Sequence, residues 1–301
     1  MATATKRTPT AQVTPLRGWL PLVMMPAAVM LFINRWPAWI FMWALAFTIY
    51  AGFKGLTYAD SVAARDASAR RVMGYLFFWP GMNAEAFFDN TRNVPRPTQS
   101  EWHWAIATCA SGVLLMGAAI QAVDVWPPFI VGWLGMVAIV VTLHFGLFHL
   151  LSLTWRSIGV DAPPLMDAPL RSSSVSDFWG RRWNRAFRDL GHTYIFHPLH
   201  RRLGGELAML AVFLFSGVVH DLVISLPARG GWGLPTMYFI LQGLAIVLER
   251  SRISAKWNLR HGVRGRLFAT AVIVLPAPML FHVAFIERVV IPMLRAWGAS
   301  G

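Results

Sequence analysis

The chain has 301 residues, of which 56% are hydrophobic and 14% charged. That composition, with a positive mean hydropathy, excludes an ordinary soluble domain and reads as an integral membrane protein. The formal net charge is +13, but the basic residues lie between apolar runs rather than on one soluble patch, which argues against nucleic acid as a partner.

Residues 1–18 form a polar tail with Lys6, Arg7 and Arg17. The apolar run behind it holds Pro21 and Pro26 and lacks a small-residue cleavage site, so it is expected to remain as a first helix rather than act as a removable signal. Seven segments have the length and apolarity of bilayer-crossing helices, for which about 20 residues is usual. They are 19–33, 37–53, 104–123, 127–154, 206–226, 234–249 and 267–286. Asn34-Arg35-Trp36-Pro37 reads as a tight turn that makes the first two a hairpin. The fourth is long enough to tilt. Between the second and third, Val72 to Phe88 is broken by Pro80-Gly81 and too short to cross; it is expected to be a re-entrant or interfacial segment buried in protein. The one cysteine, Cys109, allows no intrachain disulfide and no cysteine-based metal site.

With a cytoplasmic amino terminus, all of the 27 Lys and Arg residues except Arg35, Arg229, Arg288 and Arg295 fall on the cytoplasmic side, as the positive-inside rule requires. Seven spans then place Gly301 outside. The largest cytoplasmic stretch, Trp155 to Gly205, contains Ser176-Asp177-Phe178-Trp179-Gly180-Arg181-Arg182-Trp183-Asn184. This reads as an amphipathic helix capped by Ser174 or Ser176. Phe178, Arg182 and Arg185 share one face, and Trp179, Trp183 and Phe187 another, with the rings in the acyl boundary. Residues 19–301 read as a single membrane-embedded, all-α domain with its motif core at 174–226.

His220 is the strongest candidate for chemistry. It ends the apolar run Phe215-Ser216-Gly217-Val218-Val219-His220, about four turns into a helix starting near Glu206, at a depth where polar side chains face a cavity or a partner. Ser216 lies one turn earlier on the same face. General-base catalysis needs a neutral imidazole, which burial favours. The plainer reading is a packing histidine bonded to a neighbouring helix. Asp221 is expected to mark the polar end of the span. His144 and His149, five residues apart in the fourth span, are expected on different faces, which argues against a shared metal site. His192, His197 and His200 lie in the cytoplasmic stretch near arginines, where contact with solvent or headgroups is the default; no metal site is expected there. No Gly-rich phosphate loop, nucleophile elbow or zinc-protease motif occurs.

Asp177 to Asn184, followed by Phe215-Ser216-Gly217-Val218-Val219-His220-Asp221 with His220 36 residues beyond Asn184, resembles the wax synthase branch of the membrane-bound O-acyltransferase superfamily. The resemblance implies an enzyme that moves a fatty acyl group from acyl-CoA, a co-substrate rather than a bound cofactor, to a long-chain alcohol in a tunnel within the membrane. It implies that His220 is catalytic and that Asn184 accompanies it. Arg181, Arg182 and Arg185, with Trp179 and Trp183 beside them, are then expected to hold the donor's phosphates. The chain is shorter at its amino end than many members of the family, which leaves the acceptor more open than the chemistry. An acetyl donor acting on a terpenoid, sterol or glycan hydroxyl is the nearest alternative. A transporter with His220 as a proton relay is another, although the spans show no repeat symmetry. A scaffold without an active site would leave both motifs unexplained.

Overall fold

The computed structural model describes residues 18–298, so Lys6, Arg7, Arg17 and Gly301, with the sidedness expected of them, lie outside the described residues. Among the described residues all regular structure is helical, with no strand. The first hairpin forms as expected: α1 (Leu20–Met30) and α2 (Ala38–Asp60) are joined by a turn in which Phe32 stacks on Trp36, ring centroids 4.3 Å apart. α2 runs seven residues past its expected end because Thr57 and its neighbours pack inward against Tyr75.

α3 (Ala69–Phe78) and α4 (Ala84–Phe88) flank an irregular segment, residues 79–83, and together correspond to the broken segment read from Pro80-Gly81. Irregular backbone in apolar surroundings needs partners for its carbonyls. Three side chains supply them. Trp155 Nε1 donates to Phe78 O (3.0 Å), Tyr50 OH to Trp79 O (3.1 Å) and the buried Lys54 Nζ to Gly81 O (2.7 Å).

α5 (Gln99–Ala122), opened by a Thr98–Glu101 capping box, packs on α6 (Pro128–Ser157). Val113 and Leu114 of α5 point outward, 56% and 74% exposed, so the helix is apolar on its outer as well as its inner face. That distribution suits a lipid-facing helix. α6 carries a π-helical turn at Val141–Leu147. α7 (Arg185–Ala228) is 44 residues long. Straight, it would span about 66 Å, twice a bilayer's hydrocarbon core. It is not straight: Gly204 has φ +77°, a conformation open to glycine, and bends the chain there. Residues 185–203, read from sequence as part of the cytoplasmic stretch with an amphipathic helix reaching Phe187, are therefore the first arm of this helix.

α8 (Leu234–Arg250) forms where expected. The short α9 (Arg252–Trp257) follows. The expected span 267–286 is corrected: α10 (Gly262–Leu280) starts earlier and ends earlier. Proline at 276 lacks an amide donor, Phe281 leaves helical geometry, and the His282 imidazole accepts from Phe285 N to start a new helix, α11, over residues 283–298. Five helices, α2, α5, α6, α7 and α10, have the length and apolarity of a span. The other two segments expected to span form shorter helices, α1 and α8, of 11 and 17 residues.

The pairing that positions the site is α7 on α8. Its register is set by Asp221, which accepts from Ser225 Oγ (2.7 Å), Gly233 N (2.9 Å), Thr236 N (3.1 Å) and the Thr236 hydroxyl. A carboxylate at these donors caps α8 from outside its own sequence. Gly217 sits where the helices touch, since a Cβ there would lie 2.6 Å from Thr236 Cα. Gly217→Ala is therefore expected to push α7 and α8 apart and cost about 1–3 kcal/mol. Gly117→Ala, which meets open space, is expected to be neutral or mildly stabilising. Thermal unfolding of the detergent-solubilised chains, followed by tryptophan fluorescence, measures both; equal melting temperatures for Gly217→Ala and the parent chain would contradict the close contact.

Candidate active site

The Ser176 to Asn184 stretch does not form the single amphipathic helix expected of it. Ser174 Oγ accepts from Asp177 N (3.0 Å) and starts a turn, Val175–Asp177, that runs into a π-helical turn, Phe178–Arg182. The buried Glu249 of α8 receives Val175 N, Ser176 N and the Ser176 hydroxyl. At Trp183 the backbone is extended, and at Asn184 it is left-handed (φ +41°, ψ +64°). Asparagine tolerates that conformation better than most residues. The Asn184 Oδ1 then accepts from Phe187 N (3.1 Å) and caps α7.

The break is held by the segment before it. Arg182 O accepts from Asp167 N (2.8 Å), Arg185 N donates to Leu165 O (3.0 Å) and Asn184 N to Met166 Sδ (3.2 Å). It also changes where the rings go. Trp179 and Trp183 turn inward rather than into the acyl boundary. Trp179 packs among Phe178, Phe213 and Phe239, and its Nε1 reaches Gln242 Oε1 at 3.2 Å. Trp183 stacks between Phe178 (5.3 Å, 14°) and His144 (6.3 Å, 13°).

A cavity of about 330 Å3 opens beside this turn, and His220, Asn184, Trp179, Trp183, Arg188 and Arg250 are among the residues that line it. His220 Nδ1 lies 2.7 Å from Ser216 O. A carbonyl only accepts, so Nδ1 carries the proton and Nε2 keeps its lone pair. Phe239 of α8 packs on the imidazole at 4.4 Å between centroids. The ring's hydrogen bond is thus to its own helix, and not to a neighbouring one as a packing histidine would have it. With Asn184 Oδ1 used as a cap, its Nδ2 is the atom left to donate.

Of the residues singled out from sequence, the cavity brings together His220, Asn184, Trp179 and Trp183. It does not include Arg181, Arg182 or Arg185. Arg181 and Arg182 clasp Asp177 at 2.8 Å each, and Arg185 pairs with Asp167 at 2.7 Å and lines a different cavity. Arg188 and Arg250 stand in the wall instead, together with His192 from the exposed arm of α7. Arg188 was discoverable as one turn beyond Asn184. Arg250, 66 residues from it, was not. His197 and His200 are helical and exposed on the same arm. Asp221, expected as a polar helix end, is the hub of the α8 cap. His144 and His149 were expected on different faces; the π-helical turn, whose bonds join residues five apart, puts both on one cavity.

Residues 162–241, which contain both motifs, match the model of the membrane bound O-acyl transferase family. The chain is 33% identical over 131 residues to a long-chain-alcohol O-fatty-acyltransferase of Simmondsia chinensis, covering 39% of this chain and 37% of that protein. It is 25% identical over 210 residues to a probable long-chain-alcohol O-fatty-acyltransferase 9 of Arabidopsis thaliana, covering 64% and 61%. An acyl-CoA–sterol O-acyltransferase 1 of Arabidopsis thaliana is 25% identical over 148 residues, covering 44% and 43%. The chain thus spans 37% to 61% of the length of these relatives. The resemblance to the wax synthase branch, first carried by the two motifs, holds on these matches.

Asp177 supports the turn electrostatically. Burial works to raise its pKa, but hydrogen bonds from Arg182, Ser173 N and Arg181 outweigh it and hold the carboxyl below its ordinary range. A carboxyl depressed on folding stabilises above its unfolded pKa, and that contribution is lost as pH falls through the folded value. Asp177→Asn is expected to cost about 1.5–3 kcal/mol at neutral pH. The gap in melting temperature between parent and variant should close on acidification below the ordinary carboxylate range, and a pH-independent gap would show that the charge is not responsible.

Proposed function

We propose that this chain transfers a fatty acyl group from acyl-CoA to a long-chain alcohol, with the Asn184 turn facing the cytoplasm. The observation that carries the reading is one cavity that holds an imidazole with a free Nε2, an asparagine with a free amide and two arginines. The names of the relatives point to the same reaction class, and the clustering of basic residues on one side of the spans supports the sidedness.

In this reading the alcohol oxygen attacks the thioester carbonyl carbon while His220 Nε2 takes the hydroxyl proton. Asn184 Nδ2 donates to the oxygen that becomes negative. The carbon–sulfur bond then breaks, and the leaving thiolate recovers the proton from Nε2. No acyl-enzyme is needed. Arg250, at the end of α8, holds the donor's phosphates and can offer two parallel donors, while Arg188, one turn into α7, is bound to Asp189 and Gly180 O and shapes that side of the wall. Arg181, Arg182 and Arg185 serve the turn that aims Asn184.

Acyl transfer from labelled palmitoyl-CoA to hexadecanol by the purified chain tests this reading. His220→Ala is expected to lower kcat by about 10²–10⁴-fold. Asn184→Asp, which keeps the cap and removes the donor, should lower it by about 10²–10³-fold. Arg250→Gln should raise KM for the donor several-fold with little change in kcat, whereas Arg182→Gln should lower the melting temperature instead. Ester formation by a folded His220→Ala chain would reject the mechanism. Transfer to a sterol but not to hexadecanol would keep the mechanism and replace the acceptor.

A further inference from the structure

A cavity larger than the one at His220 lies elsewhere in the described chain. It has a volume of about 920 Å3 and lies against α6 and the 163–171 segment. His144 and His149 both line it, brought to one side by the π-helical turn. Neither imidazole has a hydrogen-bond partner among the described residues, and His144 Nδ1 and His149 Nε2 are buried. Two unpartnered imidazoles in an apolar helix are costly unless something bonds to them.

The charges around them select what that is. Arg156 pairs with Glu101 at 2.7 Å, Arg185 with Asp167 at 2.7 Å and Asp161 with Arg92 at 2.8 Å, which leaves Arg171 at the exposed rim. The interior is therefore balanced and offers little to an anion. Trp104, Phe145 and Leu170 give it an apolar side, with Trp104 and Leu170 exposed outward. A hydroxyl can donate to one imidazole nitrogen and accept from another in either tautomer. Trp183, which lines the active-site cavity, stacks on His144, which lines this one, so the two cavities are linked through that ring pair.

We propose that this second cavity holds the long-chain alcohol before transfer, its hydroxyl bonded to His144 and His149 and its chain along the Trp104–Phe145 wall. The proposal rests on the acyl-transfer reading for the identity of the alcohol, but its test needs no turnover. The purified full chain is photolabelled with a diazirine analogue of hexadecanol, and the labelled peptides are mapped by mass spectrometry. Label on peptides from 141–171, competed by hexadecanol and not by palmitate or phosphatidic acid, is expected. His149→Phe and His144→Phe should each reduce it by about two- to tenfold, the worth of one hydrogen bond. Arg171→Gln, a surface change that leaves folding intact, should leave labelling unchanged.

Label confined to peptides around His220, competition by the anionic lipids, or loss of label in Arg171→Gln would each overturn the proposal. In the transfer assay His149→Phe should raise KM for the alcohol and leave KM for the donor unchanged. A chain that takes the competed label but makes no ester would sink the proposed function and spare the site. An active chain without that label would do the reverse.

Discussion

The left-handed backbone at Asn184 is the constraint on which the rest depends. One residue with φ +41° ends a π-helical turn and starts α7 in a new direction. Trp179 and Trp183 are turned inward as a result, toward the α8 aromatics and α6 respectively. The same residue uses Oδ1 to cap the helix, so its amide is held by the fold rather than by a substrate. Residues 165–167 bond to the backbone on both sides of the break. The Asp177 clasp, the Arg185–Asp167 pair and the Glu249 acceptor sites all fasten this bend. Polar side chains that read as binding groups are spent on geometry.

Elsewhere the buried polar residues follow the same logic. In apolar surroundings each interruption of a helix leaves carbonyls or amides that need partners. Lys54, Asp221 and Glu249 each sit beside such an interruption and bond to backbone atoms distant in sequence. His282 does so locally for α11 and also lies 3.3 Å from Ser225 Oγ. Removing any of them exposes main-chain groups rather than merely deleting a contact.

Much of this was legible in the residues, and the illegible part has physical causes. The α1–α2 turn and the break at Pro80-Gly81 were readable because proline and glycine act locally. His220 stood out because an imidazole deep in an apolar run is costly wherever the helix points. The partners of Arg181 and Arg182 were not readable, although Asp177 lies only four and five residues away. A straight α-helix would have set only Arg181, four residues on, beside Asp177, and the π-helical turn brings Arg182, five residues on, onto the same carboxylate. The same distortion misled the reading of His144 and His149. The extra residue of such a turn leaves no mark on composition or hydrophobic period. Arg250 could not be assigned because its place depends on how α8 docks on α7, a pairing set by Asp221 and the Thr236 amide and hydroxyl.

The bend at Gly204 bears on how proteins built this way can diverge. Asn184 and His220 sit on the two arms of one bent helix, fastened at its start by the 165–167 segment and beyond His220 by the Thr236 contact. Their separation is thereby set by the bend at Gly204. Phe239 and Ile246 belong to the opposite wall, on α8. Bulk can be added or trimmed there to suit reactants of different girth while the two polar atoms keep their spacing, so selectivity and reactivity are free to evolve separately.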